Sequence, residues 1–239
     1  MKILRDIIAT LPKEVQVHSV LVGAHWTVVC SRNCGMASTI LGECAHGHDE
    51  VRDAGNLLAK KAHELAEYAL SDNPLEASIG VAAINSMLDV KVDENEQRNA
   101  SEVLMQYGEK KKVALVGHFP FIPKLREVSG ELWVIEKRPM EGEYSFEKAH
   151  EFIPRADIVA ITGSSLINHT LEELLSFCKS DALVMMLGPS TPLSPILFEH
   201  GVSVLSGTLV MDEDAVLNTV GQAANFRQVK GVKLVTIFK

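Results

Sequence analysis

Apolar and polar positions fall into two rhythms along this chain. The first hundred residues mix strands and helices in separate runs. Ile3, Leu4, Ile7, Ile8 and Leu11 recur at helical spacing, and Pro12, which cannot extend a helix, stops the run. Val15, Val17, Ser19 and Leu21 alternate with Gln16, His18, Val20 and Val22, the period of a strand buried mainly on one face. Trp26 to Cys30 is a second β-branched run, and Ser31-Arg32-Asn33-Cys34-Gly35 supplies the turn into a third strand at Met36 to Leu41. The pattern predicts a small antiparallel meander. A helix over Asn56 to Leu70 follows, then one over Pro74 to Leu88 that is apolar nearly all round and so must be buried, with Pro74 suited to its first turn.

After the polar stretch Asp89 to Gly108 the rhythm changes. Apolar runs at Val113–Val116, Leu132–Glu136, Asp157–Thr162, Ala182–Leu187, Val202–Leu205 and Leu234–Phe238 alternate with helical stretches, the signature of a parallel sheet with helices on both faces. The predicted fold is α/β, with a small α+β domain over residues 1–100 and a mostly parallel sheet domain over 101–239.

Composition narrows the partners. The chain has 239 residues, with 23 Lys+Arg against 31 Asp+Glu and a net charge of −8. That balance opposes a phosphate-tracking surface, so no nucleic-acid partner is expected. Most of the charge, −6, belongs to the residues up to Gly108, and the rest carries −2. The N-terminus has charges at Lys2, Arg5 and Asp6 and no apolar core of a signal peptide. No stretch reaches the ~18 apolar residues a membrane helix needs, so a cytoplasmic protein without a membrane partner is expected. Four cysteines are too few for a disulfide scaffold, and a reducing compartment would keep them as thiols.

Ligands of open parallel sheets bind beyond the carboxyl ends of the strands, which directs attention to three loops. They are Gly117-His118-Phe119-Pro120-Phe121, Thr162-Gly163-Ser164-Ser165-Leu166-Ile167-Asn168 and Gly188-Pro189-Ser190-Thr191-Pro192. Glycine amides and hydroxyls at a helix start suit a carboxylate or phosphate, although the same residues also serve as turns and caps. Three such loops on one edge predict a shared pocket for a small-molecule ligand. The first loop lacks the later glycines of the dinucleotide fingerprint, which disfavours NAD. Glu136, nineteen residues after Gly117, sits where such sheets place the acid that binds a ribose diol, so a nucleoside such as S-adenosylmethionine fits better. Its alternative is a surface carboxylate beside Lys137 and Arg138.

His118 is the best-placed proton-transfer group, against the alternative of a ring packed beside Phe119. Glu76 stands among apolar neighbours in the buried helix and is either a dipole-stabilised first-turn acid or a carboxylate facing a cleft. Cys30, Cys34, Cys44, His46 and His48 form a C-x3-C-x9-C-x-H-x-H cluster of the soft donors transition metals prefer, in a spacing that matches no closed zinc motif. Buried cysteines also behave as small hydrophobes.

Leu75-Glu-Ala-Ser-Ile-Gly-Val-Ala-Ala-Ile-Asn85, Val116-Gly-His-Phe-Pro-Phe121, Ile161-Thr-Gly-Ser-Ser-Leu-Ile-Asn168 and Leu187-Gly-Pro-Ser-Thr-Pro-Leu193, together with Val22-Gly-Ala-His-Trp-Thr27, resemble the prokaryotic family labelled "putative heavy-metal chelation" proteins. The resemblance implies an enolase N-terminal-like domain followed by a Rossmann-like domain, with a cleft between them. It also implies condensation or hydrolysis steps in making pterin-, flavin- or siderophore-like chelators. The cysteine–histidine cluster is outside those motifs. The expectation is therefore a ligand-binding protein, catalytic or not, that meets a small anionic or nucleoside-like metabolite. A non-catalytic metal or metal-chelate binder and an S-adenosylmethionine-dependent methyltransferase are the alternatives, and a homo-oligomer is compatible with each.

Overall fold

A computed structural model describes residues 1–42, 50–91 and 98–239. Among them, helix α1 (Lys2–Ala9) leads into a three-stranded antiparallel sheet, β1 (Ser19–Val22), β2 (Trp26–Cys30) and β3 (Cys34–Ser38), in the order β1-β2-β3. The predicted helix over Asn56 to Leu70 is instead broken into a 3-10 turn at Leu57–Ala59, α2 (Ala62–Ala66) and a second 3-10 turn at Glu67–Leu70. Ala62 N–H donates to the Val15 carbonyl, and that strand-like bridge takes the backbone bonds a continuous helix would use.

Helix α3 (Pro74–Met87) is the buried helix. Asn73 caps it by accepting from Leu75 N at 2.9 Å, and Pro74 occupies the first turn, where its missing N–H costs nothing. The helix is apolar on all sides because it is clamped on two. A Cβ on Gly35 of β3 would sit 2.2 Å from the Ala82 carbonyl oxygen, and one on Gly80 would sit 1.9 Å from Ala69 N. Backbones approach this closely only through glycine.

The second half adds α4 (Ala100–Gly108), β4 (Lys112–Val116), α5 (Ile122–Val128), β5 (Glu131–Glu136), β6 (Tyr144–Ser145), α6 (Ala149–Phe152), β7 (Ile158–Thr162), α7 (Leu171–Ser176), β8 (Leu183–Leu187), α8 (Ile196–Glu199), β9 (Val204–Val210), α9 (Glu213–Gly221) and β10 (Val232–Phe238). The seven strands run in the order β10-β9-β8-β7-β4-β5-β6. All pairs are parallel except β10 with β9, so the last strand closes the sheet as an antiparallel edge rather than continuing the parallel series.

Alternation along the strands sorts their side chains onto two faces. Val113, Leu115, Leu132, Val134, Ile158, Ala160, Met185 and Leu187 pack with Val103, Leu104, Ile122 and Leu125 of α4 and α5. Ala114, Val116, Trp133, Ile135, Val159, Ile161 and Met186 face the other way, into a core that also holds Ile3, Leu4 and Ile7 of α1, Leu171 and Leu174 of α7, and the apolar residues of α3. The N-terminal residues therefore share one core with the large sheet. A smaller cluster, with Val28, Cys30 and Met36 against Val216 and Val220, packs the back of the small sheet on α9.

Candidate functional site

A cavity of about 490 Å³ lies over the β8–β9–β10 end of the large sheet, beside α4 and α5. Its volume is in the range of pockets that take metabolite-sized ligands. Phe119 and Phe121 form one wall, their rings stacked with centroids 5.2 Å apart, and Met105, Pro120, Leu187 and Phe226 extend the apolar lining. Two glycines make room for the Phe119 ring. A Cβ on Gly117 (φ +111°) would lie 3.0 Å from it, and one on Gly188 (φ +106°) would lie 4.0 Å away. Both have the positive φ that L side chains avoid, so the residue type follows from the backbone at each strand end.

The floor is formed by β9 and β10, with Ser206, Gly207 and Thr208 from the first and Leu234 and Val235 from the second. Ser206 and Thr236 share a 2.6 Å hydrogen bond, and the Thr236 hydroxyl donates to the Arg98 carbonyl at 2.9 Å. Thr208 Oγ1 is buried without a hydrogen-bond partner among the described residues. At the rim stand Lys124 and Arg227, both exposed. Among the described residues, no carboxylate lines the cavity. On a chain of net charge −8 this is a local reversal of sign.

The three sequence-predicted loops do not form a single pocket. Phe119, Pro120, Gly188 and Pro189 line the large cavity. Gly117, Glu136, Thr162, Ser164, Ser165 and Asn168 line a second one of about 70 Å³ between the ends of β4, β5 and β7, where the strand order reverses. That space holds two waters or a small ion at ~30 Å³ per water, and no nucleoside. Several of its polar groups pair locally, while Ser165 Oγ is buried without a hydrogen-bond partner among the described residues. Glu136 accepts from Lys137 N at 2.9 Å, Thr162 and Ser164 share a 2.9 Å bond, and Asn168 Oδ1 accepts from the Thr170 hydroxyl at 2.6 Å.

Gly163, Ser190 and Thr191 knit the structure together between the two cavities. A Cβ on Gly163 would meet Thr191 N at 2.5 Å, which is why the β7 and β8 loops can touch. Ser190 Oγ accepts from Ser38 N at 2.8 Å and lies 3.1 Å from Ser38 Oγ, joining the β8 loop to β3 of the small sheet. At this point the two sheets meet in a hydrogen-bonded seam, and every described lining residue of the large cavity comes from residues 99–235.

His118 is half-exposed and its Nδ1 lies 2.8 Å from Glu143 Oε1, an acid the sequence reasoning missed because it sits in the loop before β6. Glu143 also accepts from Met140 N at 2.9 Å. Burial pushes its carboxyl up, but the Met140 amide and the His118 ring outweigh burial and hold it below the ordinary value. The arrangement orients one nitrogen of His118 and leaves the other available.

Glu76 belongs to neither cavity. Only 2% exposed, it accepts from Arg52 N at 2.7 Å and from Arg52 Nε and Nη2 at 2.9 Å, while the Arg52 guanidinium lies 4.3 Å from the Tyr68 ring centroid. This carboxylate pins the 50–53 loop onto α3. The expectation of thiols is corrected. Cys30 and Cys34 are joined in a disulfide across the β2–β3 pair, so neither offers a thiolate in this state, whereas Cys178 is free. Cys44, His46 and His48 lie outside the described residues.

Among the described residues, no helix is long and apolar enough to cross a membrane. Two family models match the chain, over residues 4–88 and 99–239, each with the description "Putative heavy-metal chelation". An uncharacterized protein of Methanocaldococcus jannaschii is 29% identical over 204 residues, covering 82% of this chain and 78% of its own length. A DUF364-family crystal structure of unknown function from Desulfitobacterium hafniense superposes with a TM-score of 0.87 at 29% identity, covering 100% of this chain and 98% of that one. A second, from Pyrococcus horikoshii, has a TM-score of 0.83 at 22% identity with the same coverage and shares the fold. With one model spanning residues 99–239 and the other most of the remainder, the chain belongs to the family described as "Putative heavy-metal chelation".

Proposed function

We propose that the large cavity binds a planar, anionic small molecule of the kind that chelates metals, a fused-ring or oxygen-rich ligand carrying a carboxylate or phosphate. One observation carries the reading: a 490 Å³ cavity with stacked aromatic walls takes Lys124 and Arg227 at its rim and no carboxylate among its described lining residues, on an acidic chain. Aromatic faces favour a flat ring system, and the paired cations favour its negative group. Ser206 and Thr208 line the same space.

A catalytic version of this reading rests on His118. It is not itself a lining residue, but it immediately precedes the Phe119 wall and is oriented by Glu143, and in this version its second ring nitrogen serves proton transfer in a condensation or hydrolysis step. The S-adenosylmethionine reading is less well supported, because the cavity beside Glu136 is too small for a nucleoside.

Isothermal titration with flavin mononucleotide and folate, two planar anions, tests the site. S-adenosylmethionine is run alongside them. Binding by the wild type that is lost in Ser101→Trp, which fills the cavity from the first turn of α4, is the expected result. Equal affinity in wild type and S101W would place any binding elsewhere and reject the proposal.

A further inference from the structure

The back of the small sheet carries a second constellation, none of whose three residues lines the large cavity. His18, Cys30 and Glu213 each present a donor atom, and the three lie within 4.8 Å of one another. The fold brings them together by pairing. His18 N–H donates to the Cys30 carbonyl at 3.0 Å across β1 and β2, and Glu213 arrives from the first turn of α9, its carboxylate 3.2 Å from His18 Nε2. Cys30 itself is fully buried against Val28, Met36, Val216 and Val220, while His18 and Glu213 keep about half of their side chains exposed. The one donor unable to bind a cation is Cys30, whose sulfur is bonded to Cys34 on the facing strand.

From this juxtaposition we propose that the Cys30–Cys34 disulfide gates a metal site: reduction creates a His18–Cys30–Glu213 centre for a soft or borderline divalent cation such as zinc or cadmium. Imidazole, thiolate and carboxylate are the zinc ligand types, and three of them with water in the fourth position make a known zinc arrangement. In the reduction a dithiol gives up two electrons and two protons and leaves as its own disulfide. The Cys30–Cys34 sulfur–sulfur bond breaks to two thiols. The cation then displaces the Cys30 thiol proton to solvent as it is bound. Oxidation by disulfide exchange runs the sequence backwards and releases the metal. Because Cys30 ends β2, His18 directly precedes β1 and Glu213 opens α9, the bound cation ties the small sheet to that helix. The site uses neither Cys44, His46 nor His48.

The test uses the full chain, oxidised with diamide and checked by mass for the Cys30–Cys34 bridge. A second sample is reduced with dithiothreitol and desalted without oxygen. Cadmium and zinc are titrated into both, following thiolate-to-cadmium charge-transfer absorption and the shift in melting temperature. The reduced chain should bind one more cation than the oxidised chain, with a thiolate band and a raised melting temperature. His18→Ala and Glu213→Gln, both at half-exposed positions, should each weaken that binding at least threefold, and a Cys44→Ser/His46→Ala/His48→Ala variant should leave it within threefold. Equal binding by oxidised and reduced chains overturns the proposal. So does failure of the bridge to form, a loss below threefold in H18A and E213Q, or loss of the site in the triple variant.

Discussion

Removing the Glu76 carboxylate separates a structural account of this residue from a catalytic one. Glu76 is 2% exposed and receives three donors from one residue, the Arg52 backbone amide, Nε and Nη2, at 2.7, 2.9 and 2.9 Å. Its partner's side chain is 60% exposed, so the arginine half of the pair is partly solvated and the full cost of stripping a buried pair does not apply. A hydrogen bond to a charged group contributes about 1.5–3 kcal/mol, and the exposed guanidinium recovers water when released. Glu76→Gln, which keeps one carbonyl acceptor, should therefore cost about 2 kcal/mol, and Glu76→Ala about 3 kcal/mol. For a chain of this size these correspond to drops of roughly 4–8 °C and 6–12 °C in melting temperature.

The pH dependence supplies an independent signature. Burial pushes the Glu76 carboxyl up, but the bonds from Arg52, helped by Ser71, more than compensate and hold it below its ordinary 4.5. A group whose folded pKa is depressed contributes stability above its unfolded value and loses it as pH falls through the folded value. The gap between wild type and E76Q should thus be full at pH 7 and shrink below about pH 4.5. Calorimetric or circular-dichroism melts from pH 7 to pH 3 measure it. A gap under about 0.5 kcal/mol at pH 7, the range of an ordinary surface change, would refute the reasoning, as would a gap that does not narrow in acid.

Gly80→Ala would drive a Cβ to 1.9 Å from Ala69 N, so α3 must shift off its neighbour; a loss above about 2 kcal/mol in chemical denaturation is expected. Ser190→Ala leaves the Ser38 amide of β3 without its 2.8 Å partner, and equilibrium unfolding should show a cost of about 1–2 kcal/mol. Burial pushes the Cys178 thiol up to about 11, so at pH 8 its alkylation, followed by peptide mass mapping, should be at least tenfold slower than that of a free cysteine.

The sequence carried the fold through periodicity. Runs such as Val113–Val116 and Asp157–Thr162 are apolar because both faces of the sheet are covered, and the structure buries them on both. What periodicity could not reveal was direction and continuity. Leu234–Phe238 reads like its parallel neighbours, and only its pairing with β9 makes it antiparallel. Asn56–Leu70 reads as one helix, and only the bridge to Val15 breaks it.

Legibility of the site was uneven for the same reason. Phe119, Pro120, Gly188 and Pro189 were found because strand ends can be located from apolar runs. Lys124, Arg227, Ser206 and Thr208 were not, since they come from a helix, a loop and the middle of β9, which meet only in three dimensions. Glu143 was hidden in a polar loop. Glu76 stood out as a lone acid in an apolar helix, but its partner Arg52 lies twenty-four residues away in an irregular segment without a pattern. The pairing of Cys30 with Cys34 follows from the β2–β3 register, which the turn residues suggested without fixing which atoms face each other.

The cationic rim of the aromatic cavity is the central claim, and paired affinities for one ring system with and without its negative group test it most directly. Flavin mononucleotide and riboflavin differ by a phosphate. If Lys124 and Arg227 receive that group, the wild type should bind the phosphate form about tenfold more tightly, ~1.4 kcal/mol, and Lys124→Ala/Arg227→Ala should erase the preference. Equal affinities in the wild type, or a preference that survives in the double variant, would contradict the account.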